Sequence, residues 1–210
     1  DSLIKIQSRC SYKDIPDYSS ALLYEEVLLF ETWYLNQHKK IFLNENEKNN
    51  LAVIFKTIIE SNIKQPQHFV HRDFHSRNLM KIGEEKEPGV IDFQDAVNGP
   101  ITYDLVSLLK DAYFELEEDV VLDLVIRYWE KSIKSKLLKK GEFANFYKSF
   151  EMMGLQRHLK ILGIFARLKL RDNKSQYLND IPLVEKYLIQ VTERYSELAP
   201  LRKILNKALE

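Results

Sequence analysis

At 210 residues the chain can bury a substantial hydrophobic core, as one domain or at most two. Its 31 basic and 31 acidic side chains cancel, so it has no net field to gather nucleic acid or an anionic membrane surface, and no apolar run is long enough to span a bilayer. Cys10 is the only cysteine and no signal-peptide pattern opens the chain, which together predict a reducing, cytoplasmic setting. The first residue is Asp1 rather than Met, which suggests a fragment or a processed product.

Helical patterns dominate the chain order. Residues 20–38 read as a helix, in which Trp33 and Tyr34 share helical spacing with Leu29 and Phe30. That spacing assigns the two aromatics to the core rather than to a sugar-stacking surface. Asn44 followed by Glu47 has the form of a capping box. Leu51, Ile54, Phe55, Ile58 and Ile59 then mark one buried helical face. After a short apolar entry at 69–71, residues 78–82 read as a strand, 83–88 as a polar turn and 89–93 as the returning strand. Leu105, Leu108, Leu109 and Ala112 mark a helix after Gly99-Pro100, and another is expected between 117 and 132. Residues 143–170 form one long helix or two, with Gly154 the candidate break. Pro182 and Pro200 each suit the first turn of a late helix.

The most informative residues lie around the predicted hairpin. His71-Arg72-Asp73 is followed by Asn78 in the pattern H-R-D-x-x-x-x-N, and Ile91-Asp92-Phe93 comes at the end of the second strand. Phosphoryl transfer has little covalent chemistry for a protein to assist, so it needs a positioned nucleophile and neutralised phosphate charge. Asp73 can hold and deprotonate an attacking hydroxyl. Asn78 and Asp92 offer hard oxygen donors of the kind Mg2+ takes alongside substrate phosphates. The hairpin would bring Asn78 and Asp92 to one end, where a single ion could bridge them. A surface loop with an ordinary His-Arg-Asp, and Asp92 merely ending a strand, is the alternative that either half of the pattern alone would leave standing.

The segments HRDFHSRNLM (71–80), GVIDFQDAVNGPITYDLVSLL (89–109) and GLQRHLKILGIFARL (154–168) resemble the bacterial anomeric N-acetylmuramate/N-acetylglucosamine kinases. These belong to the aminoglycoside phosphotransferase-like branch of the protein-kinase-like fold. The resemblance covers essentially the whole chain but only the C-terminal lobe of such an enzyme. It implies a mainly α domain over residues 1–210 with a small inserted β-hairpin. The N-terminal nucleotide-binding lobe, with its Gly-rich strand pair and lysine, has no counterpart here, so the 210 residues alone are expected to be nearly inactive.

The resemblance further implies Asp73 as catalytic base, Asn78 and Asp92 on Mg2+ and ATP, and an amino sugar whose anomeric hydroxyl becomes a sugar 1-phosphate in cell-wall recycling. Small molecules are then the partners, with no nucleic acid and no membrane, and the oligomeric state is left open. Gln94 in place of the protein-kinase Gly argues against a protein substrate. Another acceptor (an aminoglycoside or a choline-type metabolite) and a non-catalytic sugar- or partner-binding module are the competing readings.

Around that centre, His71 is expected to orient the loop, and Arg72 has no assigned role because no phosphorylated activation loop is visible. Asp104 reads as a helix N-cap, either for capping alone or with a second role in supporting the loop, as the wider superfamily implies. His75, Arg77 and Asp95 flank the loop and could reach sugar or phosphate, against the competing reading of local salt bridges. Arg157, Lys160, Arg167 and Arg171 recur as a helical stripe. It could attract the lactyl carboxylate of N-acetylmuramate, although the solvated face of an amphipathic helix is the simpler reading.

Overall fold

A computed structural model describes residues 1–11, 14–83 and 87–210. Among them, eight α-helices and four short strands follow one another. They are α1 (Ser2–Arg9), α2 (Ser20–Leu29), α3 (Glu45–Ile63), β1 (Gln67–Val70), β2 (Leu79–Met80), β3 (Gly89–Val90) and β4 (Val97–Pro100), then α4 (Tyr103–Leu109), α5 (Glu118–Lys134), α6 (Phe143–Leu170), α7 (Ile181–Arg194) and α8 (Ala199–Leu209). The expected mainly α fold with a small hairpin is what the chain forms. None of the described helices is long and apolar enough to cross a membrane.

Local sequence explains most of the elements. The Asn44 backbone N–H donates to Glu47 Oε2 and the Glu47 N–H to Asn44 Oδ1, both at 2.9 Å, so the capping box closes reciprocally ahead of α3. All five apolar residues predicted for the face of α3 are buried. Pro182 and Pro200 sit in the first turns of α7 and α8, where a missing N–H costs nothing. Gly154 does not interrupt α6, which runs 28 residues unbroken.

Three expectations are corrected. The helix over 20–38 is α-helical only to Leu29 and continues as a π-helix from Phe30 to Lys39. Ahead of it, Asp17 bridges to Asn98 between α1 and α2. The hairpin strands shrink to two residues each, and the 83–88 turn lies partly outside the described residues. Residues 97–100 were not foreseen as a strand; they pair antiparallel with β1, Val70 opposite Val97 and Gln67 opposite Pro100. Gly99 makes that strand possible, because a side chain there would press on Tyr18 and Val70 at 3.1–3.2 Å.

The chain divides into two compact units. The first takes residues 1–19 and 61–153 and carries all four strands, α1, α4 and α5. Its core holds Tyr18, Val70, Phe74, Val106, Val125 and Phe150, with Tyr128 stacked on Phe146 at 6.0 Å. Several buried polar groups there are paired. Gln7 Nε2 donates to the Ile101 carbonyl at 3.1 Å, and Thr102 Oγ1 donates to Gln65 Oε1 at 2.7 Å.

The second unit takes residues 20–60 and 154–210. Leu23, Val27, Phe30, Leu155, Leu159, Leu162, Val184 and Leu188 fill its core. Tyr34 is fully buried, stacked on Phe30 at 5.3 Å with its hydroxyl donating to Glu185, so the core reading of this aromatic holds; Trp33 is half-buried. Burial, and then the Glu185 carboxylate, push the Tyr34 hydroxyl well above its usual range. Gly163 on α6 lies against the end of α2, where an added Cβ would come within 2.5 Å of the Leu29 carbonyl oxygen and side chain.

That close approach yields a stability prediction. Gly163→Ala should lower unfolding stability by about 1–3 kcal/mol through forced displacement of packed helices, although alanine is the better helix former. Urea denaturation reads it, and an unchanged or raised midpoint would show that the two helices are not in close contact.

Candidate active site

The residues 71–78 leave β1 and turn back toward the hairpin. His71 is buried, and its backbone N–H donates to Asp104 Oδ2 at 2.7 Å. The next amide, that of Arg72, donates to Asp104 Oδ1 at 3.1 Å. Arg72 has φ +71°, a left-handed conformation that costs a non-glycine residue roughly 1–2 kcal/mol. Two hydrogen bonds to a carboxylate, at about 1.5–3 kcal/mol each, outweigh that strain. Asp104 is 0 % exposed and stands inside the first turn of α4, whose cap position is Thr102. The N-cap expectation is therefore corrected: the carboxylate is turned to the loop, not to its own helix. The Arg72 guanidinium rests over the Tyr18 ring at 5.3 Å.

Beyond Arg72 the chain exposes Asp73, whose side chain is 46 % accessible, and then buries Phe74. His75 Nε2 lies 4.0 Å from Asp73 Oδ1. A single 3-10 turn, Ser76–Asn78, leads into β2.

Asn78 is tied in two directions. Its side-chain Nδ2 donates to the Asp73 carbonyl at 3.0 Å, and its own carbonyl accepts the Ile91 N–H at 3.2 Å. The Leu79–Val90 register continues that pairing by one position, which puts Asn78 opposite Ile91 and beside Asp92. Asp92 has φ +72°, a conformation that Asp tolerates better than most residues and that ends β3. One of its oxygens accepts Gln94 Nε2 at 2.7 Å. The His71 ring feels both carboxylates: burial pulls its pKa down, while Asp73 and, more weakly, Asp92 push it up. Hydrogen bonds and strand register thus tie Asn78 to the Asp73 backbone on one side and to Ile91, next to Asp92, on the other.

The donor set suits a hard divalent cation. Asn78 spends its amide N–H inward on the Asp73 carbonyl, which leaves Oδ1 as a ligand atom, and Asp92 keeps one carboxylate oxygen beyond the Gln94 bond. The described residues hold no cluster of three His, Cys, Asp or Glu side chains suited to a metal. Two protein oxygens supplemented by phosphate oxygens is the usual manner of Mg2+. A cleft of about 250 Å3 lined by Ser61, Lys64, Gln65, Thr102 and Phe146 lies elsewhere in the first unit and includes none of these side chains.

The flanking candidates separate. Arg77 is exposed, with its guanidinium 3.4 Å from the centre of the Tyr113 ring, and His75 meets the edge of that ring at 5.4 Å. Asp95 is exposed in the turn that follows Asp92. The basic stripe on α6 does not behave as one face. Lys160 pairs with buried Glu26 at 2.8 Å, and exposed Arg171 pairs with Asp172 at 2.8 Å. Arg157, in the second unit, is only 4 % exposed, and its Nε and Nη1 are buried without a hydrogen-bond partner among the described residues.

Sequence reasoning passed over Asp111 and Tyr113. Asp111 is 1 % exposed and accepts the Ser76 N–H at 2.8 Å and the Tyr113 N–H at 3.0 Å. A signal was present: an Asp seven residues after Asp104, set among Leu108, Leu109 and Ala112, is a charge in an apolar neighbourhood.

His38, His68 and His71 all have pKa values lowered by burial from 6.5. The unfolded chain takes up protons first, so the stability these residues contribute is fully present above pH 6.5 and declines as pH falls below it. Denaturation midpoints should drop between about pH 7.5 and about pH 5.5, before most carboxylates titrate, and His71→Asn should shrink the drop. A flat profile over that interval would show that the three rings are not buried as neutral groups.

The phosphotransferase enzyme family model matches residues 14–135, more than half of the chain. Three curated relatives named N-acetylmuramate/N-acetylglucosamine kinase align along nearly all of it. The protein from Neisseria meningitidis is 45 % identical over 203 residues, 97 % of this chain and 60 % of its own length. Those from Pseudomonas aeruginosa and Pseudomonas putida are 40 % and 38 % identical over 205 residues, in each case 98 % of this chain and 60 % of theirs. The chain therefore spans about 60 % of the length of the curated relatives it matches.

Proposed function

The chain belongs to the phosphotransferase enzyme family, and from that premise we propose that residues 1–210 are the acceptor-binding C-terminal lobe of an amino-sugar kinase. The reaction moves the γ-phosphoryl group of ATP to the anomeric hydroxyl of N-acetylmuramate or N-acetylglucosamine and leaves a sugar 1-phosphate. The names of the aligned relatives support the substrate class. The observation that carries the reading is Asn78, bonded on one side to the Asp73 backbone and on the other to Ile91 next to Asp92.

In this reading the accessible Asp73 carboxylate holds the acceptor hydroxyl in line with the γ-phosphorus and takes its proton. An anomeric hydroxyl is more acidic than an ordinary alcohol, so orientation is the larger part of that contribution. Asn78 Oδ1 and Asp92 would hold Mg2+, which when bound neutralises charge on the phosphate oxygens. His71 and Asp104 keep the loop in register, and Arg72 anchors on Tyr18. His75 and Arg77 border the phosphates, with Asp95 beside the sugar. The protein works on small molecules in the cytoplasm.

Arg157 belongs to the second unit. A guanidinium is always charged, and burying it with two unpaired donors is costly unless an anion joins it.

One experiment on the full-length protein tests the proposal. Asp73→Asn should cut kcat for ATP-dependent phosphorylation of N-acetylmuramate by about 100-fold or more, and turnover near the wild-type rate would end the assignment.

A further inference from the structure

We infer that Asp111 is a positioning residue for the reaction, holding the second half of the Asp73 loop as Asp104 holds the first. The inference rests on the reading of Asp73 and Asn78 given above. A helix begins with amide donors that have no partner within the helix. The single turn Ser76–Asn78 starts after His75, whose side chain makes no capping bond. Its Ser76 N–H is instead taken by Asp111 Oδ2 at 2.8 Å, from 35 residues further along the chain. The end of that turn is Asn78, so the amide Asp111 holds lies two residues from the oxygen that would meet the cation.

The other oxygen of Asp111 accepts the Tyr113 N–H at 3.0 Å. Tyr113 then carries the two flanking side chains, with the Arg77 guanidinium over its ring at 3.4 Å from the centre and the His75 ring edge-to-face with it at 5.4 Å between centroids. One buried carboxylate therefore sets two things: the loop backbone that aims Asn78, and the aromatic platform that aims Arg77 and His75. At 1 % exposure, with both oxygens engaged by amides, Asp111 is itself walled off from substrate. Its effect passes through the groups it holds. The two supports are complementary, because Asp104 takes the amides of residues 71 and 72 and Asp111 that of residue 76, bracketing Asp73 from both sides.

The test uses full-length protein carrying Asp111→Asn, Tyr113→Leu or Asp73→Asn, with activity read per folded molecule from each variant's thermal midpoint. Asparagine at 111 keeps one acceptor oxygen but turns an N–H toward the other amide. Asp111→Asn should lower kcat by about 10–100-fold and raise the Mg2+ concentration for half-maximal rate, with KM for the sugar nearly unchanged. Hydrogen–deuterium exchange, read on the protein without metal or nucleotide, should quicken in the peptide spanning residues 74–80. Tyr113→Leu keeps the backbone bond and removes the ring, so it should leave that exchange rate as it was and raise a substrate KM more than it lowers kcat. Wild-type kcat and Mg2+ dependence in Asp111→Asn, or faster exchange with no kinetic change, would overturn the inference while leaving Asp73 in place. Wild-type turnover in Asp73→Asn would instead overturn the site reading, and Asp111's part with it.

Discussion

The site depends on the backbone of residues 71 and 72 being held by a carboxylate that water cannot reach. Asp104 fixes two successive amides, one of them on a residue forced into the left-handed region. Removing those bonds would strand two amide donors and release the strain at Arg72 into the loop. A buried polar network that is fully satisfied specifies one conformation, whereas a half-satisfied one does not. Asp73 is exposed and would otherwise be a mobile side chain on a mobile turn. Its fixed direction comes from a residue that solvent does not reach.

The same logic explains why so small a sheet suffices. β2 and β3 contribute two residues each, too little to be stable alone. They are secured at the active end by side chain as well as backbone, through the Asn78 bond to the Asp73 carbonyl. Asp92, two residues beyond the end of β3, then takes a left-handed conformation. Departures from regular geometry cluster here, as they do where the surrounding structure overdetermines a local strain for the sake of chemistry.

The second unit contains a different use of buried charge. Glu26 is matched by Lys160 and by Gln156 Nε2 at 2.9 Å, and Glu185 by Lys39 at 3.3 Å. These are closed pairs, in which each buried carboxylate meets a cation that breaking the pair would leave uncompensated. Arg157 is the contrast, a buried cation with unpaired donors on the same helix as Lys160. Three of the four basic residues that look alike in a helical stripe therefore differ in what surrounds them, and only the surroundings separate an ion pair from an unpaired buried cation.

Local order settled much of this molecule. The period of α3, its capping box, the proline starts of α7 and α8, and the H-R-D…N…I-D-F spacing are all properties of neighbours in sequence, governed by helix geometry and backbone sterics. So is the mainly α character, since it follows from repeated apolar spacing. What neighbours could not reveal is the pairing of β1 with β4, because both are short and lie about thirty residues apart, so nothing in either strand names its partner. The π-helix after Leu29 and the close approach at Gly163 are likewise consequences of packing. The carboxylates of Asp104 and Asp111 illustrate the division best. Each is an ordinary Asp near a short helix until the fold brings the loop amides within 3.1 Å, and burial then makes those hydrogen bonds obligatory. Sequence alone determined which chemical groups are present and how they are spaced. Tertiary structure decided which of them are desolvated and facing one another, because burial and long-range contact arise only when distant segments meet.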